Sequence, residues 1–145
     1  MEQKIFVNIK NARGRIALEQ KLQKSIDTGQ DPFDPQYLSN YHSNPIVKVW
    51  DYWYATESEH AYPGSNHHIL LICNEYAETL TDISKEAFSE LYDIISELNE
   101  KYEIPGGGFW MRYGNTNSTG ATVKRLHAHL ISKDPEGNGV RIPLG

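Results

Sequence analysis

Gly120-Ala121-Thr122-Val123-Lys124-Arg125-Leu126-His127-Ala128-His129-Leu130-Ile131 sets two histidines two positions apart inside an extended apolar run. In a β-strand alternate side chains share a face, so Arg125, His127, His129 and Ile131 are expected to point one way and Leu126, Ala128 and Leu130 the other. One face then carries chemistry while the other packs. Immediately upstream, Gly114, Asn115, Thr116, Asn117, Ser118, Thr119 and Gly120 read as a polar loop able to offer backbone N–H groups to an anion. Together the two segments suggest a phosphate site flanked by a nucleophile.

Outward from this run, residues 109–113 and 123–132 supply two strands joined by the polar loop, and residues 134–145 form a tail rich in Gly and Pro. Before them, Ser84 can cap a long helix whose apolar stripe is Phe88, Leu91, Ile94, Ile95, Leu98 and Tyr102, closed by Pro105 and the glycines at 106–108. Residues 68–73 form a fully buried strand candidate after a turn at Tyr62-Pro63-Gly64-Ser65. Residues 46–56, dense in Val, Trp and Tyr, read as one strand covered on both faces. Leu18, Leu22 and Ile26 recur at four-residue spacing in a helix over 17–27 that stops at Gly29 and lies on the outside of the fold. Residues 31–45 are an irregular connection. The order α, β, β, α, β, β predicts an α+β fold with a mainly antiparallel sheet.

Composition narrows the function classes. At 145 residues the chain has the length of one domain, with residues 1–45 as an N-terminal extension and 46–145 as the main unit. No apolar run approaches the roughly 18 to 20 residues of a membrane span, and the start Met1-Glu2-Gln3-Lys4-Ile5 shows no secretory pattern. The single cysteine, Cys73, excludes an internal disulfide, and a cytoplasmic location is the simplest expectation. A formal charge of −5 disfavours broad nucleic-acid or anionic-lipid binding but leaves room for a local basic pocket.

Of the six histidines, His42 and His60 look like loop residues and His68 is divided between surface and site. His127 and His129 are costly to bury unless a polar group meets them, which favours a functional pair over a core pair. A zinc or iron site is the competing reading. It is disfavoured because Arg125 would share the face with a divalent cation and no Asp or Glu occupies a suitable neighbouring strand position. Neither metal nor cofactor is expected.

These residues resemble the signature of the histidine triad (HIT) superfamily of nucleotide hydrolases and transferases, His-φ-His-φ-His-φ-φ preceded by Gly-Ala-Thr-Val or a close variant. Gly120-Ala121-Thr122-Val123 fits the lead-in, and His127, His129, Leu130 and Ile131 fit the second and third histidines with the closing apolar pair. The first triad position is Arg125. Residues 63–72 are similar to the family's Pro-x4-His strand, which places His68 at a further active-site histidine, and the resemblance spans roughly residues 45–132. It departs at Asp31-Pro32-Phe33-Asp34 and Tyr76, where many bacterial members carry a Cys-Pro-Phe-Cys pair and a histidine that help hold zinc.

The resemblance implies a HIT-like fold in which His127 attacks the α-phosphorus of a purine nucleotide through a covalent nucleotidyl-imidazole, with a phosphoramidate or phosphoanhydride leaving group. His129 and His68 would hold phosphate oxygens, Thr122 would donate to the leaving group, and Asn115 or Asn117 would fix phosphate or ribose. Glu57 or Glu59 falls where a ribose ligand is placed. Arg125 would lower the His127 pKa and pair with phosphate. If it displaced His127 instead, the chain would be a nucleotide-binding module. A nucleotidyltransferase is a third reading. A homodimer is also implied, paired through the long helix and its neighbouring strand.

Overall fold

The computed structural model describes residues 3–144; Met1, Glu2 and Gly145, the ends of the expected N-terminal segment and tail, lie outside the described residues. Helix α1 covers Ile16–Thr28, strands β1 to β3 cover Ile46–Val49, Trp53–Glu57 and Ser65–Cys73, and helix α2 covers Lys85–Lys101. Strand β4 (Gly108–Arg112), a one-turn helix α3 (Thr116–Thr119) and strand β5 (His127–Lys133) follow. The strands form one antiparallel sheet in the order β1-β2-β3-β5-β4, an α+β fold as expected.

The sheet is two-sided because its strands alternate in register. Ile69 pairs with Leu130 and Leu71 with Ala128, and this face packs with Trp53, Ala55 and Cys73 under Leu91, Ile94 and Leu98 of α2. Helix α2 begins where Ser84 accepts a hydrogen bond from the Ala87 N–H, the expected cap. Its buried face runs through Ala87 rather than Phe88, which is 55% exposed, because a step of about 100° per residue carries Phe88 past the contact line set by Leu91, Ile94 and Leu98. The other face carries Tyr54, Leu70 and Ile72, which pack with Leu38 and Phe33 of the N-terminal segment. Helix α1 lies over this face: Leu22 is buried with Val7, Ala12 and Val123, while Leu18 and Ile26 pack alongside. It therefore roofs the sheet instead of lying outside the fold. Gly29 ends it at φ 69°, the left-handed conformation that glycine tolerates.

Three local expectations are corrected. Residues 46–56 are a hairpin, because the chain reverses at Trp50–Tyr52 and the Trp50 N–H bonds the Trp53 carbonyl at 2.8 Å. Strand β1 is consequently a largely exposed edge, whereas β2 is buried. The polar loop before β5 winds into α3, capped by the Asn115 side chain accepting from the Asn117 N–H. Strand β5 starts at His127 rather than at Val123. Residues 123–126 instead bond elsewhere: Lys124 N–H to the Phe6 carbonyl, Leu126 N–H to the Ala77 carbonyl, and Val123 bridging Val7. Gly107, just before β4, is required by close approach, since a Cβ there would lie 2.6 Å from the Ile131 carbonyl oxygen. Among the described residues no helix is long and apolar enough to cross a membrane.

Candidate functional site

Alternation along the sheet brings His68 and Leu70 of β3, His127 and His129 of β5, and Trp110 and Arg112 of β4 to the face beneath α1, with His127 directly opposite Arg112. Above them lies a cavity of about 310 Å3 lined by His127, His129, His68, Thr122 and Arg112, and by Arg15, Leu18, Lys21 and Leu22 around α1. Pro32, Phe33, Tyr41, His42, Glu59 and Tyr62 complete its wall toward β2. The cavity thus holds five of the sequence-expected residues, His127, His129, His68, Thr122 and Glu59.

Hydrogen-bond partners fix the proton on each imidazole. The Arg125 carbonyl lies 2.7 Å from His127 Nδ1; a carbonyl only accepts, so Nδ1 carries the proton and Nε2 keeps a free lone pair. The Tyr62 N–H donates to His68 Nδ1 at 3.2 Å, which leaves the proton on His68 Nε2. That nitrogen lies 2.9 Å from His129 Nδ1 and donates to it, so His129 carries its proton on Nε2, a buried atom without a hydrogen-bond partner among the described residues. The result is a free lone pair on His127 Nε2 and an N–H on His129 Nε2. Their rings stand 5.4 Å apart.

Burial keeps all three imidazoles neutral. It pushes His68 and His127 down to about 4. In His127 the Arg125 carbonyl opposes the shift and the Arg112 charge adds to it. His129 falls to about 2, through burial first and then the neighbouring His127, His68 and Arg112. An edge-on contact with Phe33, at 4.9 Å between ring centroids, shields His127 from water. Neutral imidazole with a free nitrogen is the nucleophilic form, and an adjacent N–H donor suits a phosphoryl oxygen.

Arg125, Asn115 and Asn117 lie elsewhere. Arg125 precedes β5 and turns its guanidinium behind the histidines, away from the cavity. There it is 3% exposed, donating to Asp31 Oδ2 at 3.0 Å, the Cys73 carbonyl at 2.9 Å and the Asn74 carbonyl at 2.5 Å. Its role as phosphate ligand is corrected on that ground, and so is its charge as the cause of the low His127 pKa. Arg112 supplies that charge, while Arg125 contributes its backbone carbonyl. Asn115 is exposed and occupied as the cap of α3, outside the cavity lining. Asn117 is likewise turned outward and accepts from Asn8 Nδ2 at 3.0 Å.

The positions where the resemblance places zinc ligands do not suit a divalent ion. Asp31 and Asp34 flank the Arg125 guanidinium, at 3.0 and 4.0 Å, and Tyr76 lies beneath it. The cation of this cluster is therefore the arginine. Burial raises the Asp31 carboxyl above its ordinary value, against the pull of the Phe33 N–H and of Arg125. Among the described residues, no group of three His, Cys, Asp or Glu side chains is arranged to hold a metal.

Sequence reasoning missed Arg112, Arg15, Phe33, Tyr62 and the α1 residues of the cavity. Period-two alternation in residues 109–113 would place Trp110 and Arg112 on one face, but only the strand register sets Arg112 opposite His127. Glu59 also lines the cavity. Burial pushes its carboxyl up, but Lys21 and the Ser43 hydroxyl and N–H outweigh it and bring the pKa down to about 2. Glu57 points outward and is exposed. His42 and His60, read as loop residues, line the cavity as well.

A family model described as HIT domain matches residues 41–136. A solved structure called Hit Like Protein is similar with a TM-score of 0.56 and 20% identity, over 69% of this chain and 96% of that one. The histidine triad nucleotide-binding protein of Candida albicans has a TM-score of 0.57 at 18% identity, covering 75% of this chain and 80% of its own. The Plasmodium falciparum diadenosine triphosphate hydrolase, solved with cyclomarin A, has a TM-score of 0.51 at 20% identity, over 67% and 65%. At these identities the likeness is one of fold. No curated protein matches the chain.

Proposed function

The chain belongs to the HIT family, and from that premise we propose that it is a nucleotide hydrolase that cleaves a purine nucleotide at its α-phosphate through a nucleotidyl-His127 intermediate. The observation that carries this reading is the fixed tautomer of His127, with its Nδ1 proton on the Arg125 carbonyl and its Nε2 lone pair free at the cavity. In the first step Nε2 bonds to the α-phosphorus and the bond to the leaving group breaks, its electron pair departing with that group. In the second, water bonds to the phosphorus and gives up a proton to solvent, the P–N bond breaks back onto Nε2, and nucleoside monophosphate leaves. His129 donates its Nε2 proton to a non-bridging oxygen, and His68 keeps that proton in place by donating to His129 Nδ1. Thr122, on the cavity wall, donates toward the leaving group.

The nucleoside occupies the side of the cavity walled by Leu18, Leu22, Phe33 and Tyr41, with the Glu59 carboxylate as the ribose acceptor. Residues 3–45 on this reading are a cover for a site whose chemistry is carried by residues 46–144. A homodimer fits the exposed Phe88 and Tyr92 of α2 and the edge position of β4, and the lone buried Cys73 fits a reducing, cytoplasmic compartment.

The test is single-turnover incubation with adenosine and guanosine phosphoramidates, dinucleoside polyphosphates and nucleotide sugars. The parent protein should release nucleoside monophosphate and His127→Ala should not. Micromolar nucleotide binding with no product from the parent would replace the hydrolase with a binding module. Transfer to an added acceptor in preference to water would make it a transferase.

A further inference from the structure

The proposed hydrolysis leaves the leaving group open, and the β4 wall of the cavity bears on it. Arg112 lines the cavity opposite His127, yet among the described residues its Nε is buried without a hydrogen-bond partner and its only bond is a long one, 3.5 Å from Nη1 to the Thr119 carbonyl. No carboxylate lies within ion-pair distance of it among the described residues. Arg15, at the start of α1, lines the same cavity from the roof. Among the described residues it spends only Nε and Nη2, on the Ala12 and Asn11 carbonyls at 2.8 and 3.1 Å, and it too has no carboxylate partner.

The two guanidiniums are close enough to oppose each other, and burial together with the Arg15 charge holds the Arg112 guanidinium below its ordinary pKa. The Trp110 ring, 5.4 Å away, supports Arg112 from the side. A half-buried guanidinium without a counter-charge is costly unless an anion joins it, the exposed Arg15 beside it adds a second positive charge, and their planar forks match phosphate oxygens.

Toward β2 the cavity is of another character. There Phe33 and Tyr41, roofed by Leu18 and Leu22 of α1, form an apolar chamber, and the charges of Lys21 and Glu59 satisfy each other. A nucleotide whose α-phosphate meets His127 and whose nucleoside fills that chamber therefore directs its other phosphorus substituent toward β4.

We propose that Arg112 and Arg15 form a second anion subsite that takes the phosphate following the scissile bond, so that the substrate class is a nucleoside polyphosphate ester or anhydride rather than a phosphoramidate with an uncharged amine. The inference rests on the hydrolase reading for its chemistry. The α-phosphorus to bridging-oxygen bond breaks, the electron pair stays on that oxygen, and the negative charge it adds to the departing phosphate is met by the two arginines.

The experiment compares parent, Arg112→Met, Arg112→Lys and Arg15→Met on diadenosine triphosphate and adenosine phosphoramidate, with the guanosine pair alongside. Arg112→Met should lose about tenfold to a hundredfold in kcat/KM on the anhydride. That loss should exceed the loss on the phosphoramidate at least tenfold, with partial rescue by Arg112→Lys. Equal losses on both substrates would overturn the proposal, because Arg112 would then serve the α-phosphate or the fold.

Calorimetric binding of ADP and AMP separates this proposal from the hydrolase reading. A parent without turnover that still binds ADP at least tenfold tighter than AMP, a preference abolished by Arg112→Met, keeps the subsite and sinks the hydrolysis. Equal affinity for the two nucleotides in the parent sinks the subsite whatever the turnover. Arg15→Met, at an exposed position, makes the same comparison if Arg112→Met does not fold.

Discussion

Behind His127 a guanidinium is buried and paired with a carboxylate; in front of it another is half-buried and, among the described residues, has no carboxylate partner. Arg125 spends its donors on Asp31 and on the Cys73 and Asn74 carbonyls, tying the start of β5 to the N-terminal segment and the end of β3. Among the described residues Arg112 has a single long bond, and it faces the cavity. Both lie close to the same imidazole, and their effects on it are opposite. The Arg125 carbonyl raises the His127 pKa by accepting its proton, and the Arg112 charge lowers it. A paired arginine fixes geometry, whereas an unpaired one is available to a ligand. Proximity in sequence to the histidines is thus a poor guide to which arginine meets substrate.

The two arginines should differ most in stability. Asp31→Ala leaves Arg125 as an uncompensated buried charge and should cost about 3–5 kcal/mol, read as a fall in the urea midpoint, while Arg112→Met should change stability by less than about 1 kcal/mol. The reverse ranking would exchange the roles assigned to the two arginines. The double variant Asp31→Leu, Arg125→Met sharpens the point. It removes both charges together and should recover most of the loss. It should also retain activity, since the acceptor for His127 Nδ1 is a backbone carbonyl and survives the change.

Next in size is the pH dependence. His68 and His127 titrate near 4 and His129 near 2 in the folded chain, against 6.5 for an unperturbed histidine. Below 6.5 the unfolded chain binds more protons than the folded one, so stability falls as pH falls. The urea midpoint should hold above pH 6.5 and decline steadily from there toward pH 4. Over about pH 5 to 7, kcat/KM on a dinucleoside substrate should stay flat, because His127 remains neutral. An activity loss centred near 6.5 would show that His127 titrates as an exposed imidazole.

The smallest expected effect is at the nucleoside end. Lys21→Met removes a partly exposed ion pair and should cost less than about 1 kcal/mol. It should also raise the Glu59 pKa from about 2 toward its ordinary value, measurable by NMR titration.

Much of this frame was legible in the sequence, for local reasons. The His127 and His129 spacing fixes a shared strand face, Ser84 and the α2 periodicity fix the long helix, and Gly29 ends α1. What was not legible depended on partners far away in the chain. Arg125 leaves strand geometry because its neighbours bond Phe6 and Ala77, and its own carboxylate partner, Asp31, is 94 residues distant. The hairpin within residues 46–56 was hidden because Val, Trp and Tyr suit the strands and the turn between them alike. Arg112 acquires its place from register, and α1 becomes a roof only through its packing with Val7 and Val123.

The most direct test of the central claim is a base-quenched single turnover, analysed by intact and peptide mass spectrometry, since a phosphorus–nitrogen bond to imidazole survives base. One nucleotidyl group per active chain is expected, carried on His127, formed and lost at rates that bracket product release, and absent from His127→Ala. Product formed with no adduct, or an adduct on any other residue, would contradict that claim.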